Sequence, residues 1–176
     1  IRIVIQAADL WLHLHYEDRA TELIQRELDL NPDCTILNAK LADLWFTGGH
    51  WEKSSMQYAA CLRLCPKNAH EHKADWISRL IQIESMQGRI ANDSLRNRFE
   101  KEATFLTSTI AQGFREQVHL VLSMQGFHMA ALQWAQTILE HTPSKNLARI
   151  AVAHLRIANS AHLAHRPLEA LIGYHE

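Results

Sequence analysis

Two prolines, Pro32 and Pro66, stand 34 residues apart, and much of what separates them repeats what precedes them. Trp11 and Trp45 share that spacing of 34, as do Ala8 and Ala42, Leu28 and Leu62, and Leu30 and Leu64. A fixed period of this kind restricts the fold severely. Each period is one supersecondary unit that buries its apolar side only by stacking on the next. Within the second period, Leu37, Leu41, Leu44 and Trp45 recur at helical spacing, which places them on one face of a helix. Gly48-Gly49 ends that helix, because glycine accepts the left-handed conformation that a helix C-terminus often needs. Tyr58, Cys61, Leu62 and Cys65 make a second apolar face. Pro66 stops it, since proline lacks the N–H and its ring clashes with the preceding turn. The period is therefore a pair of helices.

The run Leu41-Ala42-x-x-Trp45, followed by Tyr58 and Pro66, resembles a tetratricopeptide repeat. Asn38 stands where that family prefers a large aromatic, and Ser54 where it prefers alanine. The preceding unit keeps the register through Ala7, Ala8, Trp11, Ala20, Ile24, Leu28, Leu30 and Pro32. The resemblance implies an all-α fold, a right-handed superhelical solenoid of about five antiparallel helix pairs. The pairs are expected at residues 1–34, 35–68, 69–112, 113–144 and 145–176, within one repeat domain.

The first helix is expected from about Ile1 to His15, and Glu17-Asp18 opens the second, where acids favour the N-terminal dipole. The third unit departs from the pattern. A helix from about Ala69 to Met86 carries Trp76, Ile77, Leu80, Ile81 and Ile83, and Gly88 ends it. Asn92-Asp93-Ser94 then offers an N-cap to a helix running through Leu95, Phe99, Ala103, Leu106 and Ile110. The loop from Gly88 to Asp93 is longer than the family's turn, so an irregular repeat with changed curvature is expected. In the fourth unit Val118, Val121 and Leu122 precede Gly126, and Ala131, Ala135, Ile138 and Leu139 precede Pro143. An alanine-rich helix from about Lys145 to Ala164 follows. Arg166-Pro167 opens the last helix, with Leu168, Ala170, Leu171 and Tyr174 on its face.

Charge and composition exclude some functions. The 18 Lys and Arg against 19 Asp and Glu give no global reason to expect nucleic acid or an anionic membrane as partner. No run of apolar residues is long enough to span a bilayer, and no secretory signal is visible. Three cysteines without framework spacing suggest reduced thiols and a cytoplasmic location. Neither end has the polar character of a solenoid cap, so the chain is expected to be a piece of a longer one.

In the family this sequence resembles, the first helices of each pair line a concave groove that binds peptides or partner helices. Helical phase puts Arg2, Ile5, Asp9 and Leu12 on that surface from the first repeat, and Ala39, Asp43 and Phe46 from the second. Lys73, Ile77 and Leu80 follow from the third, and Glu116 and Leu120 from the fourth. Apolar residues with scattered charge suit an amphipathic helix or extended peptide better than a phosphate backbone. One subclass of the family grips the C-terminal carboxylate of chaperone tails. Its lysine, asparagine and arginine positions hold Ile5, Asp9, Lys40, His70 and Ala74 here, and Asp9 would repel a carboxylate. That activity is not expected.

Other chemistry has little support. Cys61, Cys65, His70 and His72 invite a metal site, but both cysteines lie on one helix and the spacing is not that of a closed zinc site. His13 and His15 read as helix-end residues favoured by the dipole. The 12 histidines would let the scaffold sense pH. No nucleophile–base order or phosphate-binding loop is recognisable, and Gly48-Gly49 lacks the length and lysine of a P-loop. Trp11, Trp45, Trp76 and Trp134 read as core. Trp51 either faces a partner or packs on the neighbouring turn. The expectation is a non-enzymatic interaction scaffold without cofactor or metal, holding a protein or peptide partner. The alternatives are a regulatory or sensor domain of a larger transcription or signalling protein, and a substrate-selecting solenoid fused to a catalytic domain. Self-association through edge helices is a further option.

Overall fold

A computed structural model describes residues 1–88 and 93–175, apart from the side chains at 93, 167–169 and 171. The N-cap expected around Asn92 and the apolar positions expected at Leu168 and Leu171 lie outside the described residues. Among the described residues every regular element is helical. The helices are α1 (Arg2–His13), α2 (Glu17–Leu30), α3 (Thr35–Thr47), α4 (Trp51–Leu64), α5 (His70–Met86), α6 (Asp93–Ala103), α7 (Ser108–Met124), α8 (His128–Glu140), α9 (Leu147–Leu163) and α10 (Pro167–His175). They form two compact units, Ile1–Ala69 and His70–Glu176.

In the first unit, α1 pairs with α2 and α3 with α4, and α2 packs on α3. Ala8 and Ala20 are fully buried, and such small residues let α1 and α2 approach closely. Ile24 and Leu28 of α2 share one core with Leu37 and Leu41 of α3, and Trp11 and Trp45 pack at its edge. Both departures from the repeat pattern have a structural use. The Ser54 hydroxyl donates to the Ala42 carbonyl at 2.9 Å and so ties α4 to α3. Asn38 donates to the carbonyls of Pro32 at 3.0 Å and Cys34 at 2.9 Å, which closes the connection from α2 into α3.

On α1, Ile3, Ala7, Leu10 and Leu14 form an outward row, and Ile3 is 80% exposed. Their counterparts one period later, Leu37, Leu41 and Leu44, pack with Ile24 and Leu28. The hairpin turns also repeat. His15, Gly49, Gly88, Gly126 and His165 each have a left-handed backbone, with φ between 59 and 81. Glycine takes this conformation freely and histidine at modest cost.

In the second unit, α5 pairs with α6, α7 with α8 and α9 with α10. In addition, α5 packs on α7 and α8 on α9. The Phe99 and Trp134 rings meet edge-on at 5.7 Å, and Leu132 and Ala135 share a core with Ile157, Ala161 and Ala170. The single helix expected from Leu95 through Ile110 is two. Its first part ends at Ala103, and α7 starts at Ser108 with Thr107 as N-cap, accepting from the Ile110 N–H at 3.4 Å. Leu106 lies in the connection and Ile110 in the first turn of α7. The connection is held by Phe105, whose ring stacks on His70 at 4.1 Å, and by the Thr104 hydroxyl, which donates to the Lys101 carbonyl at 2.8 Å.

Candidate partner-binding faces

In the first unit the site starts from α1 and α3. Lys40 of α3 forms an ion pair with Asp9 of α1, so the two first helices are joined by charge on their open side. One turn after Ala39, Asp43 accepts a hydrogen bond from the Tyr58 hydroxyl at 2.6 Å. Phe46 meets the Trp51 ring edge-on at 5.5 Å, so Trp51 is half-buried against the end of α3. Arg2 is exposed, whereas Ile5 and Leu12 are half-buried against the unit's core. A cleft of about 520 Å³ opens beside these residues, with Leu12, Leu44 and Trp45 as its apolar part and Lys40 and Asp43 beside them. A second cleft, also of about 520 Å³, adjoins it along α2. The two share Asp18, Thr21, Trp45 and Lys53, and the Lys53 ammonium sits 5.7 Å from the Trp45 ring centre.

In the second unit, Glu116 of α7 pairs with Arg156 of α9 at 3.1 Å. Both line a cleft of about 420 Å³ with Gln117, His119 and Leu120. Leu120 is 57% exposed, and Met124, one turn further along α7, is 77% exposed. Val152, four residues before Arg156 and hence on the same side of α9, is also exposed. His119 is buried, with Nε2 3.2 Å from the Ser160 hydroxyl and 3.5 Å from that of Ser123. Burial, and then the Arg156 charge, push its pKa down to about 4.

Two residues expected on the groove are elsewhere. Ile77 is 0% exposed and Leu80 is buried, because α5 packs against both α6 and α7 and so buries more than one face. Lys73 is half-buried on the same helix. Sequence reasoning passed over Met124, Val152, Arg156 and His119. His119 left a trace. It stands 12 residues before Ala131, as Ala42 stands before Ser54, so a histidine occupies a position where earlier repeats have alanine.

The residues of the imagined metal site are used otherwise. His70 Nδ1 lies 2.7 Å from a Glu102 oxygen, and His72 stacks on Trp76. The Cys61 thiol is buried, and burial followed by the nearby Asp43 charge raises its pKa to about 12. No group of three or more His, Cys, Asp or Glu side chains among the described residues is placed to hold a metal ion.

No family model matches the chain, and no curated protein sequence matches it. Solved structures do. The chain is similar to a crystal structure of MamA protein, at 14% identity and a TM-score of 0.64, over 99% of this chain and 87% of that one. A second MamA crystal structure gives 14% identity and a TM-score of 0.62, over 96% and 90%. YrrB, a TPR protein with an unusual peptide-binding site, gives 15% identity and a TM-score of 0.59, over 97% and 80%. At such identities the likeness speaks for architecture alone, and the architecture is an all-α helical solenoid of the tetratricopeptide-repeat type.

Proposed function

We propose that the chain is a non-enzymatic interaction scaffold that holds a peptide or helix of a partner protein against the first-helix faces of its hairpins. The observation that carries this reading is the exposed pair Leu120 and Met124 on α7, with the Glu116–Arg156 ion pair one turn before Leu120. Apolar anchors at helical spacing next to fixed charge match the side-chain pattern of an amphipathic helix laid in a groove. YrrB, which shares the architecture, has a peptide-binding site. No helix among the described residues is long and apolar enough to cross a membrane.

Site-specific photo-crosslinking tests the reading. Leu120→benzoylphenylalanine is expected to give a discrete protein adduct in cells. The same change at the exposed Gln136, on the second helix of that hairpin, is expected to give none. Equal adducts at both positions, or adducts at 136 alone, would show that the first-helix face is not the working surface.

A further inference from the structure

We infer that the joined cleft of the first unit takes a lysine- or arginine-bearing segment of a protein partner, with an apolar side chain on Leu12, Leu44 and Trp45 and its cations against Asp18 and Glu22. The inference rests on the scaffold reading and names the kind of partner. The apolar residues and the Trp45 ring provide a place for a side chain to lie. Carboxylates follow along both clefts: Glu17, Asp18 and Asp43 in the first, and Asp18, Glu22 and Asp29 in the second.

The cations in these clefts leave the acids largely unmatched. Lys40 is paired with Asp9, so Lys53, which lies over Trp45, and Arg26 along α2 are two cations against the five lining carboxylates Glu17, Asp18, Glu22, Asp29 and Asp43. Asp29 accepts a hydrogen bond from Gln25 at 3.0 Å. Glu17, Asp18 and Glu22 are exposed and enter no ion pair among the described residues. The N-terminal dipole of α2 accounts for acids at 17 and 18. It does not account for Glu22, which lines the second cleft, and Asp43 of α3, held by the Tyr58 hydroxyl, adds a fixed negative charge to the first. Exposed carboxylates along a cleft suit a guanidinium, which forms paired hydrogen bonds with a carboxylate, while the Trp45 ring, faced by Lys53, serves as apolar wall. A phosphate backbone would be repelled. The cleft of the second unit differs, because its carboxylate, Glu116, is already matched by Arg156. Charge selection therefore falls to the first unit.

The test is fluorescence anisotropy with two labelled probes, a short leucine–arginine peptide and its leucine–glutamate counterpart. The arginine peptide is expected to bind the wild-type chain about tenfold more tightly and to weaken as salt is raised. D18N/E22Q is expected to lose about tenfold in affinity for it, the effect of two rim ion pairs. A control with the same charge change in the other unit, E71Q/E140Q, is expected to lose none. No binding of the arginine peptide, equal affinity for both peptides, or equal losses in the two variants would overturn the inference. The crosslink at position 120 lies in the other unit and reports on the scaffold reading separately.

Discussion

Tyr58, fully buried on α4, reaches across the second hairpin and donates its phenolic hydrogen to Asp43 on the open side of α3 at 2.6 Å. A core aromatic thus ends on a carboxylate that borders the cleft. Tyr58→Phe keeps the packing and removes the bond. It is expected to lower stability by about 1.5 kcal/mol, the low end for a hydrogen bond to a charged group, because Asp43 is exposed. Urea unfolding followed by circular dichroism measures this, and an unchanged midpoint would mean the bond adds nothing in solution.

His119 predicts a pH dependence. Its imidazole stays neutral in the folded chain down to about pH 4, whereas in the unfolded chain it takes a proton near its ordinary value of 6.5. Between those values the unfolded state binds more protons, so acid favours unfolding. Stability from this group is complete above pH 6.5 and declines as pH falls to about 4, by up to about 3 kcal/mol. His119→Gln is expected to flatten that slope. Parallel slopes for the two proteins over this range would place the acid sensitivity in other groups.

Arg115 on α7 is buried and forms a two-pronged contact with Glu100 on α6, with Nε to Oε1 at 3.0 Å and the second prong to Oε2. The guanidinium also lies 5.9 Å from the Phe99 ring centre. Glu100→Gln leaves a buried cation without its counter-charge and is expected to cost about 3 kcal/mol. Adding Arg115→Met should recover part of that loss, because both charges are then gone. A thermal denaturation series of the single and double variants decides it.

Gly173 of α10 is buried where the helix meets α9. A Cβ added there would meet both the Ala158 Cβ and the Ala158 nitrogen at 3.0 Å, and the His154 carbonyl oxygen at 3.1 Å. In an open helix, glycine to alanine stabilises by up to about 1 kcal/mol. Here the backbone of α9 must move, and Gly173→Ala is expected to destabilise by about 1–3 kcal/mol. A raised melting temperature would mean that the two helices part without cost.

Cys61 should resist alkylation in the folded chain at pH 8, since its thiol is buried and remains protonated up to about pH 12. Cys34 and Cys65 are half-buried and are expected to react before it. Mass spectrometry of the time course separates the three. Early modification at Cys61 would show that the second hairpin opens readily.

What could be read from the residues alone follows from what apolar spacing records. Leu37, Leu41, Ala8 and Ala20 were legible as core because their period and size state it directly. Asn38 and Ser54 were legible as departures, but not their purpose, since bonds to the Pro32 and Ala42 carbonyls depend on how the helices lie. The break before α7 was hidden because the apolar spacing of Phe99, Ala103, Leu106 and Ile110 continues through it. Ile77 and Leu80 were misplaced because helical phase presumes one buried face, and α5 has more than one. On the candidate site, Glu116 could be found by phase. Its partner Arg156 could not, because the ion pair joins residues 40 positions apart on two helices.

The outward row on α1 has a practical consequence for anyone who would lengthen this array. Ile3, Ala7 and Leu10 already present the surface that Leu37, Leu41 and Leu44 use to sit on α2. A hairpin with the α2-type face of residues 17–30, stacked against that row, would need no redesign of the residues that receive it.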